Sequence, residues 1–356
     1  MSPEAADAVV ADAVVVEAMG VPVGIPVTGS TAERLRRQWS RALTERDAAT
    51  VVDLDGLDPG DAVAHDYAVT SRVTLAALDA TAGQRINLHA GAVADDEGRA
   101  LALVGASGSG KTTAVHRLAR RLGYLSDETT SIDERLVVHP HAKPLSVIDD
   151  PDVPLVKQSL SPDDLDLVRP PATSYLHRLV LLHRGDGETG LVPLAPAHAI
   201  AEMVAQTSSL VQLQHPMLRL ADTIDACGGV WGLHYDEFEH WIDALVDLLD
   251  TEGQPPLPRL HHPGTDTVEA AAGAWSRAPW RDAVEYDDEL VLMVGSRVHV
   301  LAGLGIVLWL ALETPCTLDE LVEEVRELWG EHPDAVTLVT GALELMADEG
   351  MLRPPG

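Results

Sequence analysis

Residues 105–112 read Gly-Ala-Ser-Gly-Ser-Gly-Lys-Thr and match the phosphate-binding pattern G-x-x-x-x-G-K-[ST] at every defined position. Gly105, Gly108 and Gly110 let the backbone turn so that successive N–H groups can face an anion, and a helix starting at Thr112 adds the positive end of its dipole. Lys111 is placed to reach the β- and γ-phosphates of ATP. The Thr112 hydroxyl can ligate Mg²⁺, while Ser107, Ser109 and Thr113 complete the cradle. A carboxylate pair, Asp127-Glu128, follows only sixteen residues after Lys111, and His89 stands upstream in Leu88-His89-Ala-Gly-Ala-Val93. An anion cradle with a carboxylate close behind suits phosphoryl transfer to a hydroxyl. That reaction is mostly positioning and charge stabilisation, plus one acceptor for the hydroxyl proton. Two duller readings compete: a chance glycine-rich turn for the loop, and a solvated turn or helix cap for the acidic pair.

Elements of the right kind flank each group. Residues 100–104 form an apolar strand pattern and 112–122 a helical one, the context the loop requires. Residues 85–93 read as one strand, joined to the loop-bearing strand by a turn at 95–98, so a strand pair delivers His89 towards the phosphates. Before these come a strand at 21–25, a helix from Thr31 with Leu35, Trp39 and Leu43 on its apolar face, and a helix at 69–82. After them, strands at 136–138 and 178–182 and helices at 196–206 and 235–250 suggest a sheet covered by helices. Segment 251–263 is proline-rich and aperiodic, which reads as a linker. The chain then restarts with strands at 289–294 and 297–301 and helices at 305–312, 317–329 and 333–349; Thr317 and Glu320 carry a capping-box signature. The expected class is α/β. Its parts are an N-terminal α/β segment at 1–60 packing on a nucleotide-binding catalytic domain at 61–250, a linker at 251–282, and a small winged-helix-like domain at 283–356.

Composition narrows the partners. The 356 residues, 46% of them apolar, suffice for two or three domains with real cores. A net charge of −31 argues against nucleic acid and against anionic membranes, because neutralising phosphates takes clustered Lys and Arg. Cys227 and Cys316 give no disulfide framework and fit a reducing compartment. No basic segment precedes the apolar N-terminal run, and the apolar stretch at 298–312 is too short to span a bilayer. The expectation is a cytoplasmic protein.

The loop, the close acidic pair and the upstream histidine motif together resemble the catalytic domain of HPr serine kinase/phosphorylase and its relatives, P-loop enzymes akin to phosphoenolpyruvate carboxykinases. The likeness covers residues 84–150. It implies an HPr-kinase-like domain with a mixed sheet and helices, using ATP and Mg²⁺. Carried over by motif position, it implies that His89 orients or tunes Asp127, that Asp127 takes the proton of a serine-type hydroxyl, and that Glu128 helps hold Mg²⁺. The family usually has Asp-Asp, so Glu128 is a departure. Relatives are often oligomeric, which makes a homo-oligomer one of the expected states.

The C-terminal pattern, two strands and three helices with Trp309 in the first helix, resembles PqqD-like domains. In ribosomally made peptide pathways these bind leader peptides, often as an added strand. A DNA-binding winged helix is the competitor. Residues 283–356 hold fifteen Asp plus Glu against three Arg and no Lys, which disfavours a phosphate backbone; a plain oligomerising domain also fits. The two resemblances imply a kinase acting on a peptide or small protein substrate, above all a ribosomally synthesised precursor peptide. A kinase of a carrier protein or small hydroxylated metabolite is the first alternative, and a nucleotide-dependent scaffold without phosphotransfer the second.

Four more residues invite a role. Lys143 follows the acidic strand and can neutralise charge on a transferred phosphoryl group, though a surface lysine fits equally. His139 and His141 alternate like a strand-borne metal pair, yet no third ligand can be assigned, and ordinary surface histidines are the preferred reading. Asp186 follows an apolar strand like a late Walker B carboxylate, but its Gly-rich neighbours favour a turn.

Overall fold

The computed structural model of the protein describes residues 13–148, 157–185 and 187–356, so Asp186 lies outside the described residues. The fold is mixed α/β. Contacts divide the chain into two compact units: Met1–Pro193, Gln206–Leu213 and Val230–Gly253 form the first, and Leu194–Ala205, Gln214–Gly229 and Gln254–Gly356 the second.

In the first unit a small sheet is built from Val14–Ala18 antiparallel to Val21–Ile25, with Thr50–Val51 parallel to the latter. Its buried Val16, Val23, Leu35 and Trp39 close on Val69, Val73 and Ala77 of the helix Ala62–Thr81. Helix Gly29–Gln38 is shorter than the pattern 31–43 suggests, and Leu43 beyond it is 44% exposed.

The main sheet of this unit has ten strands. The loop-bearing strand Arg99–Val104 is flanked by Ala90–Ala94, antiparallel, and by Ser174–Arg184, parallel. Gly123–Ser126 adds to the first neighbour and Val230–Tyr235 to the second. Residues 85–93, expected as one strand, are two. Ile86–Leu88 pairs with Thr130–Ile132, whereas Ala90–Ala94 pairs with the loop-bearing strand; at the break the His89 N–H donates to the Gln206 carbonyl at 2.6 Å. The helix expected at 235–250 is also corrected. Tyr235 ends a strand, a 3₁₀ turn spans Phe238–Trp241, and the helix proper is only Ile242–Asp247. Val230, Gly232, Leu233 and Tyr235 are buried beside a parallel strand, so Tyr235 belongs to the sheet and the helix begins later.

The second unit holds a four-stranded antiparallel sheet in the order Leu260–Thr265, Trp280–Glu285, Glu289–Val294, Arg297–Ala302. Helices Leu304–Ala311, Leu318–Trp329 and Ala335–Asp348 bury Trp309, Leu321 and Leu343 with Leu290 and Leu292 of the sheet. The capping box forms: Thr317 Oγ1 accepts from Glu320 N at 3.4 Å, and Glu320 Oε2 accepts from Thr317 N at 2.7 Å.

Two sequence-based boundaries are corrected here. Part of the 251–282 stretch, expected as linker, is the strand Leu260–Thr265. Its Pro263 is tolerated on an edge strand, and Gly264 is required because a Cβ there would lie 1.9 Å from the Arg281 carbonyl oxygen. Helices Pro196–Ala205 and Pro216–Ala226, expected within 61–250, group with the second unit instead, where they bury Ile200, Met203, Leu220 and Ile224. Helical periodicity reveals that a face is covered but not which sheet covers it. Among the described residues, no helix is long and apolar enough to cross a membrane.

Candidate active site

Strand register brings the three sequence motifs to one end of the main sheet. Ala90 pairs with Val104, so His89 just before it stands beside Gly105, the first residue of the loop. On the other side of the same strand Ala92 pairs with Ser126, so Asp127 and Glu128 emerge at that end too. Gly91 makes the arrangement compact: a Cβ there would meet Val115 Cγ2 of the loop helix at 2.2 Å.

The loop itself has the left-handed turns the motif implies, with φ of 85° at Gly108 and 89° at Gly110. Gly110 caps the helix Lys111–Leu118 without any side-chain hydrogen bond to its first turn. A Cβ at Gly110 would lie 2.6 Å from the Tyr235 hydroxyl, which donates to the Ser109 carbonyl and so clamps the loop from the end of strand Val230–Tyr235, one strand removed from the loop-bearing one. Lys111 Nζ is buried and donates to the Gly105 and Ala106 carbonyls at 2.6 and 2.9 Å. Burial lowers its pKa against the opposing pull of Glu128. Ser107, Thr112 and Thr113 are exposed. Among the described residues the buried Ser109 Oγ has no hydrogen-bond partner. An uncapped helix start, an orphaned hydroxyl and glycines that no side chain could replace fit a polyphosphate with Mg²⁺.

Asp127 is 5% exposed and held from two sides. Lys143 Nζ lies 3.1 Å from its Oδ1, and the Tyr124 hydroxyl donates to the same oxygen at 3.0 Å. Lys143 also reaches Glu128 Oε2 at 3.2 Å. Burial alone would lower the lysine pKa, but Asp127 and Glu128 outweigh it and hold the ammonium above its ordinary value. The same burial, reinforced by Asp127, pushes the Tyr124 phenol well up. Lys143 is therefore no surface lysine. It stays charged beside a carboxylate that it shares with a neutral phenol.

His89 lies within electrostatic reach of Asp127. Among the described residues no side-chain hydrogen bond joins it to Asp127, whose orientation is set by Tyr124 and Lys143. Burial, and then the charge of Lys111, lower the His89 pKa against the raising influence of Glu128 and Asp127. A neutral imidazole thus lies among the loop lysine and both carboxylates. Tyr124 was missed in the sequence; a tyrosine in an apolar strand three residues before an aspartate is the available signal, because a buried phenol needs a partner.

The remaining candidates separate. His139 Nε2 lies 3.1 Å from Asp133 Oδ2, while His141 is fully buried with Nε2 2.9 Å from Thr74 Oγ1. Burial and the nearby Lys143 push the His141 pKa down to about 3, so it is a neutral core histidine rather than a surface one. A cavity of about 290 Å³ opens beside the acidic pair, walled by His89, Glu128 and Lys143 on one side and by Tyr67, Ser71 and Leu75 of helix Ala62–Thr81 on the other. No family model matches this chain, and no curated protein matches it.

Proposed function

We propose that the protein is an ATP- and Mg²⁺-dependent kinase of the HPr-kinase-like type that phosphorylates a serine-type hydroxyl of a peptide. One observation carries this reading: the buried Asp127–Lys143 pair emerges at the same sheet end as the phosphate loop. The loop amides with Lys111 bind the β- and γ-phosphates; Thr112 and Glu128 are the residues that would hold Mg²⁺, which neutralises phosphate charge when bound. Asp127 accepts the proton of the acceptor hydroxyl as its oxygen bonds to the γ-phosphorus and the bond to ADP breaks. Lys143 holds that carboxylate in place and offsets charge on the transferred group. His89, neutral, adds a polar contact without a second positive charge.

The cavity beside the pair supports a peptide acceptor over a small metabolite. Tyr67 and Leu75, 62% and 59% exposed, line its outer wall and present apolar surface for residues flanking a reacting hydroxyl. The C-terminal unit, PqqD-like in this reading, would recognise a leader segment.

The test uses the full chain with labelled ATP, Mg²⁺ and a library of serine- and threonine-containing peptides. Phosphopeptide formation by the wild type, lost in Asp127→Asn with nucleotide affinity kept, is the expected result. Tight ATP binding without transfer to any peptide in the library points instead to a nucleotide-dependent scaffold.

A further inference from the structure

Away from the phosphate loop, three ligand-type side chains of the second unit converge. His215 precedes helix Pro216–Ala226, His261 lies on the edge strand Leu260–Thr265, and Asp282 lies on its neighbour Trp280–Glu285. One nitrogen of each imidazole and one carboxylate oxygen all fall within 4.8 Å of one another. Asp282 is fully buried, and its two oxygens have divided duties. Oδ2 accepts the N–H groups of Met217 and Leu218 at 2.8 and 3.1 Å. Oδ1 faces His261 Nε2 at 2.6 Å and His215 Nδ1 at 3.8 Å.

A His–Asp hydrogen bond accounts for His261 alone. It leaves His215 beyond hydrogen-bond reach, although its backbone adopts a left-handed φ of 48°, uncommon for a residue other than glycine. The two imidazoles nevertheless meet edge to face with centroids 5.0 Å apart. We propose that His215, His261 and Asp282 bind a divalent transition-metal ion of the zinc type.

Two imidazole nitrogens and one carboxylate oxygen are the donors such an ion takes, whereas Mg²⁺ and Ca²⁺ require oxygen sets. Metal–ligand bonds of about 2.0–2.2 Å in a tetrahedron separate ligand atoms by roughly 3.3 Å. That value lies between the 2.6 and 3.8 Å that separate Asp282 Oδ1 from the two imidazole nitrogens, and the nitrogens themselves lie within 4.8 Å of each other. The anchored Oδ2 supplies the outer-shell support that orients a monodentate carboxylate ligand. Three protein ligands leave the fourth position open, and the 41% exposure of the His215 side chain sets that position towards solvent. The ion would fasten the start of helix Pro216–Ala226 to two strands of the sheet.

The test takes the full chain, stripped by chelator, and titrates it with ZnCl₂ and separately with CoCl₂. One equivalent of zinc raises the melting midpoint, and cobalt develops the visible absorption of a tetrahedral site. His215→Ala and His261→Gln each weaken zinc binding by at least ~10-fold, the lower end of what losing even an outer-shell partner costs. Because His215 is partly exposed, His215→Ala melts near the wild type without metal, which separates lost binding from lost folding. Thr112→Ala keeps the zinc stoichiometry, placing the ion away from the phosphate loop. A chain that takes up no zinc, or one whose zinc binding survives both histidine substitutions, overturns the assignment.

Discussion

Asp127 in the first unit and Asp282 in the second are both buried, and their partners make the two carboxylates different instruments. Asp127 in the first unit faces an ammonium and a phenol. Asp282 in the second faces two backbone N–H groups and two imidazoles. Lys143 has no lone pair to offer while charged, so it is not itself a metal ligand, and its contact with Asp127 suits steering a proton or an anion. Histidines can surrender a proton and present a lone pair, so Asp282 belongs to a set that accepts a cation. A buried acid alone says little about chemistry; what its neighbours can donate decides it.

Four experiments probe that contrast, in order of expected effect. Asp127→Asn lowers phosphotransfer by ~10²–10⁴-fold, the usual worth of a positioned proton acceptor, with ATP affinity unchanged by equilibrium titration. Unimpaired transfer would remove Asp127 from its role and leave the two carboxylates alike. Lys143→Met strands the buried carboxylate and costs about 3–5 kcal/mol in urea unfolding. The double variant Asp127→Asn, Lys143→Met should recover much of that loss; a fully additive result would show that the pair is not coupled. Gly91→Ala pushes a methyl group against Val115 and costs about 1–3 kcal/mol, an effect that Val115→Ala relieves if close packing of strand and loop helix is what aligns the first carboxylate.

The smallest effect at neutral pH belongs to His141, a histidine with neither role. Its folded pKa is depressed to about 3 from 6.5, so on acidification the unfolded chain takes up the proton first. The stability it contributes is present above pH 6.5 and lost as the pH falls towards 3, with a slope of up to ~1.4 kcal/mol per pH unit. His141→Gln should flatten that part of the stability–pH curve, measured by denaturation at several pH values.

The glycine turns of the loop and its flanking strand and helix were legible in the sequence, since each depends on local pattern: an apolar run and glycines at fixed offsets. The Thr317–Glu320 capping box was legible for the same reason. His89 was found but its partner was not. Whether it meets Asp127 depends on the strand break at residue 89 and on Tyr124 and Lys143 occupying the carboxylate first, which are matters of packing. Lys143 itself was ambiguous because residue type does not show that it is buried against Asp127. The cluster of His215, His261 and Asp282 was invisible, as its members are 46 and 21 residues apart along the chain and only strand pairing and a helix start unite them. The strand at Leu260–Thr265 hid behind its own proline.

The interleaved assignment of segments to the two units has a bearing on how the protein is made. The first unit takes chain up to Pro193, again at Gln206–Leu213 and last at Val230–Gly253, while helices of the second unit are spelled out in between. On the ribosome, the phosphate-loop sheet therefore lacks its strand Val230–Tyr235 until both intervening helices have been synthesised. Those helices in turn wait for a sheet whose first strand begins at Leu260. The first unit has all its segments once Gly253 is made, before the sheet of the second unit exists, so a chain stalled near residue 250 would expose the apolar faces of both helices.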